Sequence, residues 1–181
     1  MDKKQMALRN KNKEAQHRGD DFQAEMRRSW RLLPNLWRIR LKDGGGNSVA
    51  ADELVIAEGV NILAEHKRTK KSSFQLDFLR PNQIQGLVDF DQVIKRNVGL
   101  VFVSFYDTNK DLDECYAIRL VYALEYMKKK GRVSISLDEL RELQLPGRQA
   151  WNGKWAVAVP RLEAAERTFD LRGVLDCFKC L

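Results

Sequence analysis

Alternation of apolar and polar residues is clearest between Ala51 and Lys71, ADELVIAEGVNILAEHKRTKK. Two short β-branched and apolar runs flank Glu58-Gly59. A glycine between two such runs marks a two-residue hairpin, because it supplies the positive φ that a tight primed turn requires. Counting outward sets Ala57 against Val60, Ile56 against Asn61, Leu54 against Leu63 and Asp52 against Glu65. Side chains alternate along a strand, so Lys67 shares the face of Glu65 and His66 takes the other. The hairpin therefore gathers Asp52, Glu65 and Lys67.

The rest of the pattern frames this hairpin. Residues 1–18 are polar and charged and read as a flexible basic arm. Phe22, Met26 and Trp30 recur at i, i+4 and i+8, which predicts a helix from about Asp20 to Leu32, ended by Pro34. Leu36 to Leu41 alternates as an edge or half-buried strand, and Asp43 to Ser48 is a glycine-rich loop. Pro81 opens a helix reaching about Arg96, with Ile84, Leu87, Val88 and Ile94 inward. Val98 to Phe105 reads as a central strand buried on both faces, followed by a turn and a short strand, Cys115 to Arg119. A helix from about Val121 to Lys130 stops at Gly131, and Ser136 to Glu139 fits a capping box that opens another. Gly147 to Gly153 reads as loop, Lys154 to Val159 as strand and Arg161 to Phe169 as helix. Trp30, Trp37, Phe74 and Phe90 are expected in the core. The sum is an α/β fold: a three-stranded meander, then a crossover helix leading to a further strand of one mixed sheet.

Composition narrows the class. A chain of 181 residues with 44% hydrophobic content suits one domain with a sizeable core. No apolar run approaches the roughly 20 residues that span a bilayer, and the first residues lack an apolar signal segment. A soluble cytoplasmic protein with no membrane partner is the expectation. Cys115, Cys177 and Cys180 are too few and too irregular for a disulfide framework. Cys177-x-x-Cys180 leaves a zinc site open only if His17, His66 or Cys115 supplies the remaining ligands. Charge is uneven: twelve Lys and Arg against five Asp and Glu through Lys42 give 12 − 5 = +7, equal to the excess of the whole chain. Such a field suits a polyanion, and also a solvated basic arm.

Asp52 and Glu65, directly opposed, would bring two like charges to about 5 Å between Cβ atoms, which destabilises a sheet. A divalent cation between them reverses the sign, and Mg²⁺ favours one or two carboxylates plus water. The spacing D-x12-E-x-K resembles the PD-(D/E)xK nuclease motif. By itself the spacing fits a surface ion pair on an exposed hairpin equally well.

With these positions set, the chain resembles the RecU-type Holliday junction resolvases of bacteria and their phages, from Gly19 to about Leu143. Gly19-Asp20-Asp21-Phe22-Gln23 is similar to that family's opening G-x-x-F-E. Asp52 stands for its first metal-binding acid, and Glu65-His66-Lys67 for its E-x-K. Ser72-Ser73-Phe74 with Gln83 resembles its S-F and H-Q segment, and Val133-Ser134-Ile135 its closing strand. The chain departs from the family at Gln23, where it has glutamate, and at Asn82, where it has histidine. It also lacks the long stalk insertion, since only Lys42 to Ala51 joins the early strand to Asp52.

The resemblance implies a restriction-endonuclease-like fold in a single nuclease domain, 19–181, with 147–181 as a C-terminal extension. It implies Mg²⁺, with Mn²⁺ as substitute, held by Asp52, Glu65 and the backbone carbonyl of His66. Lys67 and Gln83 complete the catalytic set, and Arg38, Arg40, Lys42, Arg68, Lys70 and Lys71 would track the DNA backbone. The implied activity is cleavage of branched DNA by a homodimer in a bacterial or phage-infected cell. A DNA-binding recombination or repair accessory protein of the same fold with little or no catalysis is the alternative.

Overall fold

The hairpin forms in the expected register. In a computed structural model describing residues 3–42, 49–145, 155–163 and 166–179, β2 (Glu53–Ala57) pairs antiparallel with β3 (Val60–Thr69), Ala57 against Val60 and Leu54 against Leu63. The turn differs in type. Only Gly59 has positive φ, at 77°, so the pattern is that of an unprimed type II turn rather than a primed one.

β1 (Leu36–Arg40) pairs with β2 and forms one edge of a mixed six-stranded sheet ordered β1-β2-β3-β5-β6-β8. After β3, a short strand β4 (Ser73–Gln75) and the helix α2 (Pro81–Val93) cross over to β5 (Asn97–Asp107), which runs parallel to β3. β6 (Leu112–Arg119) and β8 (Ala156–Ala158) then add antiparallel strands. β5 is buried along nearly its whole length, as its apolar run predicts.

Each face of the sheet carries its own core. Val98, Leu100 and Phe102 of β5 point to the face covered by Phe22, Met26 and Trp30 of α1 (Lys3–Arg31) and by Val174 and Phe178 of α5 (Arg172–Phe178). Val101, Val103 and Phe105 point to the other face. That face is covered by α2, α3 (Leu120–Lys129) and α4 (Leu137–Glu142). The capping box at Ser136 and Glu139 is formed, and Gly131 ends the α3 segment at φ 64°. α2 lies so close to β5 that a Cβ at Gly99 would sit 2.3 Å from the carbonyl oxygen of Leu87.

Several expectations are corrected. The helix expected from about Asp20 is continuous from Lys3, so the basic arm is its first half. The described residues of 161–169 are not helical: β9 (Arg161–Leu162) and β10 (Thr168–Phe169) pair, and the helix comes afterwards as α5. The closing strand expected at Val133 to Ile135 forms as β7 (Ser134–Ser136), and it pairs antiparallel with β4 in a small sheet of its own that the residue pattern does not indicate. Trp37 is 55% exposed rather than in the core, because β1 is the sheet's edge. Ile94 is exposed just past the end of α2. The loops expected at Asp43–Ser48 and Gly147–Gly153, and Cys180, lie outside the described residues. Among those described, no helix is long and apolar enough to cross a membrane.

Candidate active site

Asp52 sits one residue before β2 and is gripped on both sides. Its N–H donates to the Ala64 carbonyl at 3.0 Å, and its own carbonyl accepts from Leu41 N–H at 2.8 Å. The side chain is equally committed. Oδ1 accepts from Gln23 Nε2 on α1 at 2.9 Å, and Oδ2 accepts from the His66 backbone N–H at 2.8 Å. In an extended strand the N–H and C=O of one residue point to the same side. The His66 carbonyl therefore faces the Asp52 side, where the ladder with β2 has ended.

Glu65 is the most enclosed member, with its side chain 3% exposed. Lys67 Nζ lies 2.7 Å from Glu65 Oε1 and donates to Gln83 Oε1 at 3.4 Å. That Gln83 oxygen also accepts the Arg80 N–H at 3.0 Å, so Gln83 both caps α2 and reaches the site. Glu65 Oε2 is buried with no hydrogen-bond partner among the described residues. Burial, then the charge of Asp52, raise the Glu65 pKa against the pull of Lys67. Burial opposes ionisation of Asp52 too, but the His66 donors and Lys67 outweigh it and hold its carboxyl below the ordinary range.

Behind Asp52 lies a second charged layer. His66 is buried, with Nε2 3.0 Å from Glu53 Oε1 and Nδ1 3.4 Å from Asp52 Oδ2. These are charge contacts, since neither ring nitrogen has a well-aligned hydrogen bond. Glu53 is fixed by Trp30 Nε1 at 2.8 Å and Arg38 at 2.7 Å. Burial disfavours the imidazolium, yet Glu53 and Asp52 push the His66 pKa up to about 10. The same contacts and Arg38 hold Glu53 below its usual value despite burial. The ring edge of Phe22 packs on the imidazole, so His66 belongs to the α1 face, as alternation requires.

No protein-family model matches this chain, and no curated protein is similar to it.

The basic set divides in two. Arg40, Lys42, Lys70 and Lys71 are exposed. Arg68 is corrected: its side chain is 2% exposed, its guanidinium holds both oxygens of Glu25, and Nε donates to Ser104. Such a group is not free for a phosphate. Arg38 is likewise drawn inward by Glu53. Glu25 answers Arg68 and Arg161, so its carboxylate is spent inside the fold. Gln23 instead supplies Asp52 with an amide donor where a glutamate would repel it.

Sequence reasoning left Glu53 and Arg27 unremarked. The register does place Glu53 on the His66 face, and Arg27 follows Gln23 by one helical turn. Both signals were readable, but their partners lie far along the chain.

Among the described residues, no three His, Cys, Asp or Glu side chains are arranged to hold a metal ion. The site instead offers two carboxylates and the His66 carbonyl, which lies beyond the end of the β2 ladder. These are hard oxygens, and they suit Mg²⁺, which keeps several waters, better than zinc. The buried Glu65 Oε2 has no hydrogen-bond partner among the described residues, so it is open to a further donor or cation.

Proposed function

We propose that this protein is a Mg²⁺-dependent DNA endonuclease with a restriction-endonuclease-like fold, acting on branched DNA as a homodimer in a bacterial or phage-infected cell. One observation carries the reading: Glu65 pairs with Lys67 at 2.7 Å and feels the charge of Asp52, while its buried Oε2 is left unpaired among the described residues. Asp52, Glu65 and the His66 carbonyl would hold the cation. When bound, Mg²⁺ (or Mn²⁺) polarises the phosphodiester and lowers the pKa of a coordinated water.

The protein's own groups do the rest. Lys67, anchored between Glu65 and Gln83, orients the attacking water and offsets negative charge growing on the phosphate. Water oxygen bonds to phosphorus as the P–O3′ bond breaks, leaving a 5′-phosphate and a 3′-hydroxyl. Gln23 and His66 N–H fix the Asp52 carboxylate so that no reorientation is needed at that moment.

A second reading is a DNA-binding accessory protein with little catalysis. Gln23 favours it, because its amide occupies one Asp52 oxygen.

Cleavage of four-way, fork, flap and duplex substrates in Mg²⁺ and in EDTA separates the two. Metal-dependent cutting of branched DNA is expected, with Asp52→Asn and Glu65→Gln each slowing it roughly 100-fold or more while DNA binding persists. Equal cutting in EDTA, or unimpaired variants, would rule out the mechanism.

A further inference from the structure

Arg27 stands on α1 one turn beyond Gln23, on the same helix face. Gln23, Arg27, Arg40, Asp52, Glu53 and His66 line one recess on the α1 side of Asp52. It is too narrow for a molecule to enter, so a ligand would lie across its mouth. The other polar groups around it are already engaged. Arg38 holds Glu53 Oε2, Trp30 holds Glu53 Oε1, and Arg40 Nη2 donates to Gln23 Oε1 at 3.3 Å. Arg27 alone among these arginines has no hydrogen bond or ion pair with the described residues. Burial, and then the charges of Arg40 and Arg38, pull its pKa below the ordinary guanidinium value. Arg40, Arg38 and Arg31 thus act on Arg27 as like charges, and Glu53, the carboxylate that favours its charge, is held by Arg38 and Trp30.

We infer that Arg27 and Arg40 form a seat for a backbone phosphate of the nucleic acid, adjacent to the phosphate presented to Asp52 and Glu65. The inference rests on the nuclease reading for what lies next door. An anion there relieves the repulsion, and a guanidinium fork matches phosphate oxygens. The seat lies on the Gln23 side of Asp52, and Lys67 lies on the Glu65 side, so the substrate strand would be held from both sides. A phosphate contact fixes register without reading bases. The seat therefore sets how the strand is presented, not which sequence is cut.

The test uses the full chain with Arg27→Gln and Arg27→Lys. DNA affinity is measured in EDTA across a salt series, and single-turnover cleavage is followed in Mg²⁺. Arg27→Gln should weaken binding about 10-fold and reduce the slope of log K against log[salt] by about 1. The rate at saturating DNA should change less than the affinity. Arg27→Lys keeps the charge, so it should keep the slope while losing part of the affinity. Because Arg27 is partly exposed and unpartnered, both variants should melt with the wild type. If Arg27→Gln does not fold, the Arg27→Lys pattern decides: affinity and rate both unchanged would overturn the seat. Unchanged affinity and slope in a folded Arg27→Gln would overturn it while wild-type cutting upheld the nuclease. A wild type that never cuts, combined with the expected binding losses, would sink the nuclease and leave the seat standing. Inorganic phosphate that binds wild type and not Arg27→Gln, with DNA affinity equal in both, would assign the seat to free phosphate and overturn its placement on a nucleic acid.

Discussion

His66 lies buried between two carboxylates, and its charge favours the ionised form of both. Taking one partner from a buried ion pair leaves the other uncompensated, at a cost of about 3–5 kcal/mol. His66→Gln should therefore be strongly destabilised in chemical denaturation, even with EDTA present. The pH dependence has a defined sign. The folded pKa of about 10 stands above the ordinary 6.5, so the protonated ring stabilises the fold. That contribution is complete below about pH 6.5, declines as pH rises, and is gone above about pH 10. Wild type should lose stability across this window more steeply than His66→Gln, and parallel profiles would refute the buried imidazolium. The register made part of this legible, since it sets Glu53 and His66 on one face. Trp30 and Arg38 closing on Glu53 were not legible, because alternation says which way a side chain points and nothing about what meets it. Arg68 makes the same point. Its sign marks it as an anion binder, but its anion is Glu25, 43 residues earlier, rather than a phosphate.

Elements with a strong local signal formed where their residues place them. The hairpin has period-2 alternation and one glycine turn, and α4 has its reciprocal cap. Elements decided by distant contacts did not. Arg161 to Phe169 contains Leu, Glu, Ala and Arg, good helix formers, yet Arg161 reaches Asp113 and Glu25, and the Phe169 N–H donates to Ser29. Those tertiary bonds outweigh propensity and hold Arg161–Leu162 and Thr168–Phe169 as the paired strands β9 and β10. The first half of α1 was missed for the opposite reason: it has no apolar stripe to reveal it. The seam between α2 and β5 offers a test at this scale. An alanine Cβ at Gly99 would lie 2.3 Å from Leu87 O and 2.9 Å from Leu87 C, both backbone atoms. Backbone of a packed helix yields only by moving the helix, so Gly99→Ala should cost about 1–3 kcal/mol. Because α2 carries Gln83, the shift should also loosen Lys67 and slow cleavage beyond what lost folding explains. A Gly99→Ala protein with wild-type denaturation midpoint would show that the two elements do not pack this tightly.

Charge is the property of the whole molecule that the fold leaves most exposed. Residues 1–18 hold six Lys and Arg against two Asp and Glu, so 6 − 2 = +4 of the net +7 lies there. Gln5, Met6, Arg9, Lys13, Glu14, Gln16 and His17 are all exposed, and among the described side chains of α1 the buried stripe starts at Phe22. A helix gains most of its stability from packing an apolar face, and the described side chains of this half bury none. Its first turn has no acid to offset the positive end of the helix dipole. Beside a chain of phosphates that end is favourable, and so is the basic excess of residues 1–18. Two outcomes follow for the intact protein and for a form lacking residues 1–18. Thermal stability should be nearly equal, because Phe22, Met26 and Trp30 remain. DNA affinity should differ in its salt dependence, since each neutralised phosphate contributes about 0.9 to the slope. Loss of a few such contacts should flatten log K against log[salt] by roughly 2 to 4. DNA should also raise the helical circular dichroism of the intact protein and not of the shortened one. Equal slopes would show that this half of α1 does not touch DNA. A shortened protein that melts well below the intact one would show instead that the helix is bound into the fold, and that its charge serves the protein rather than a ligand.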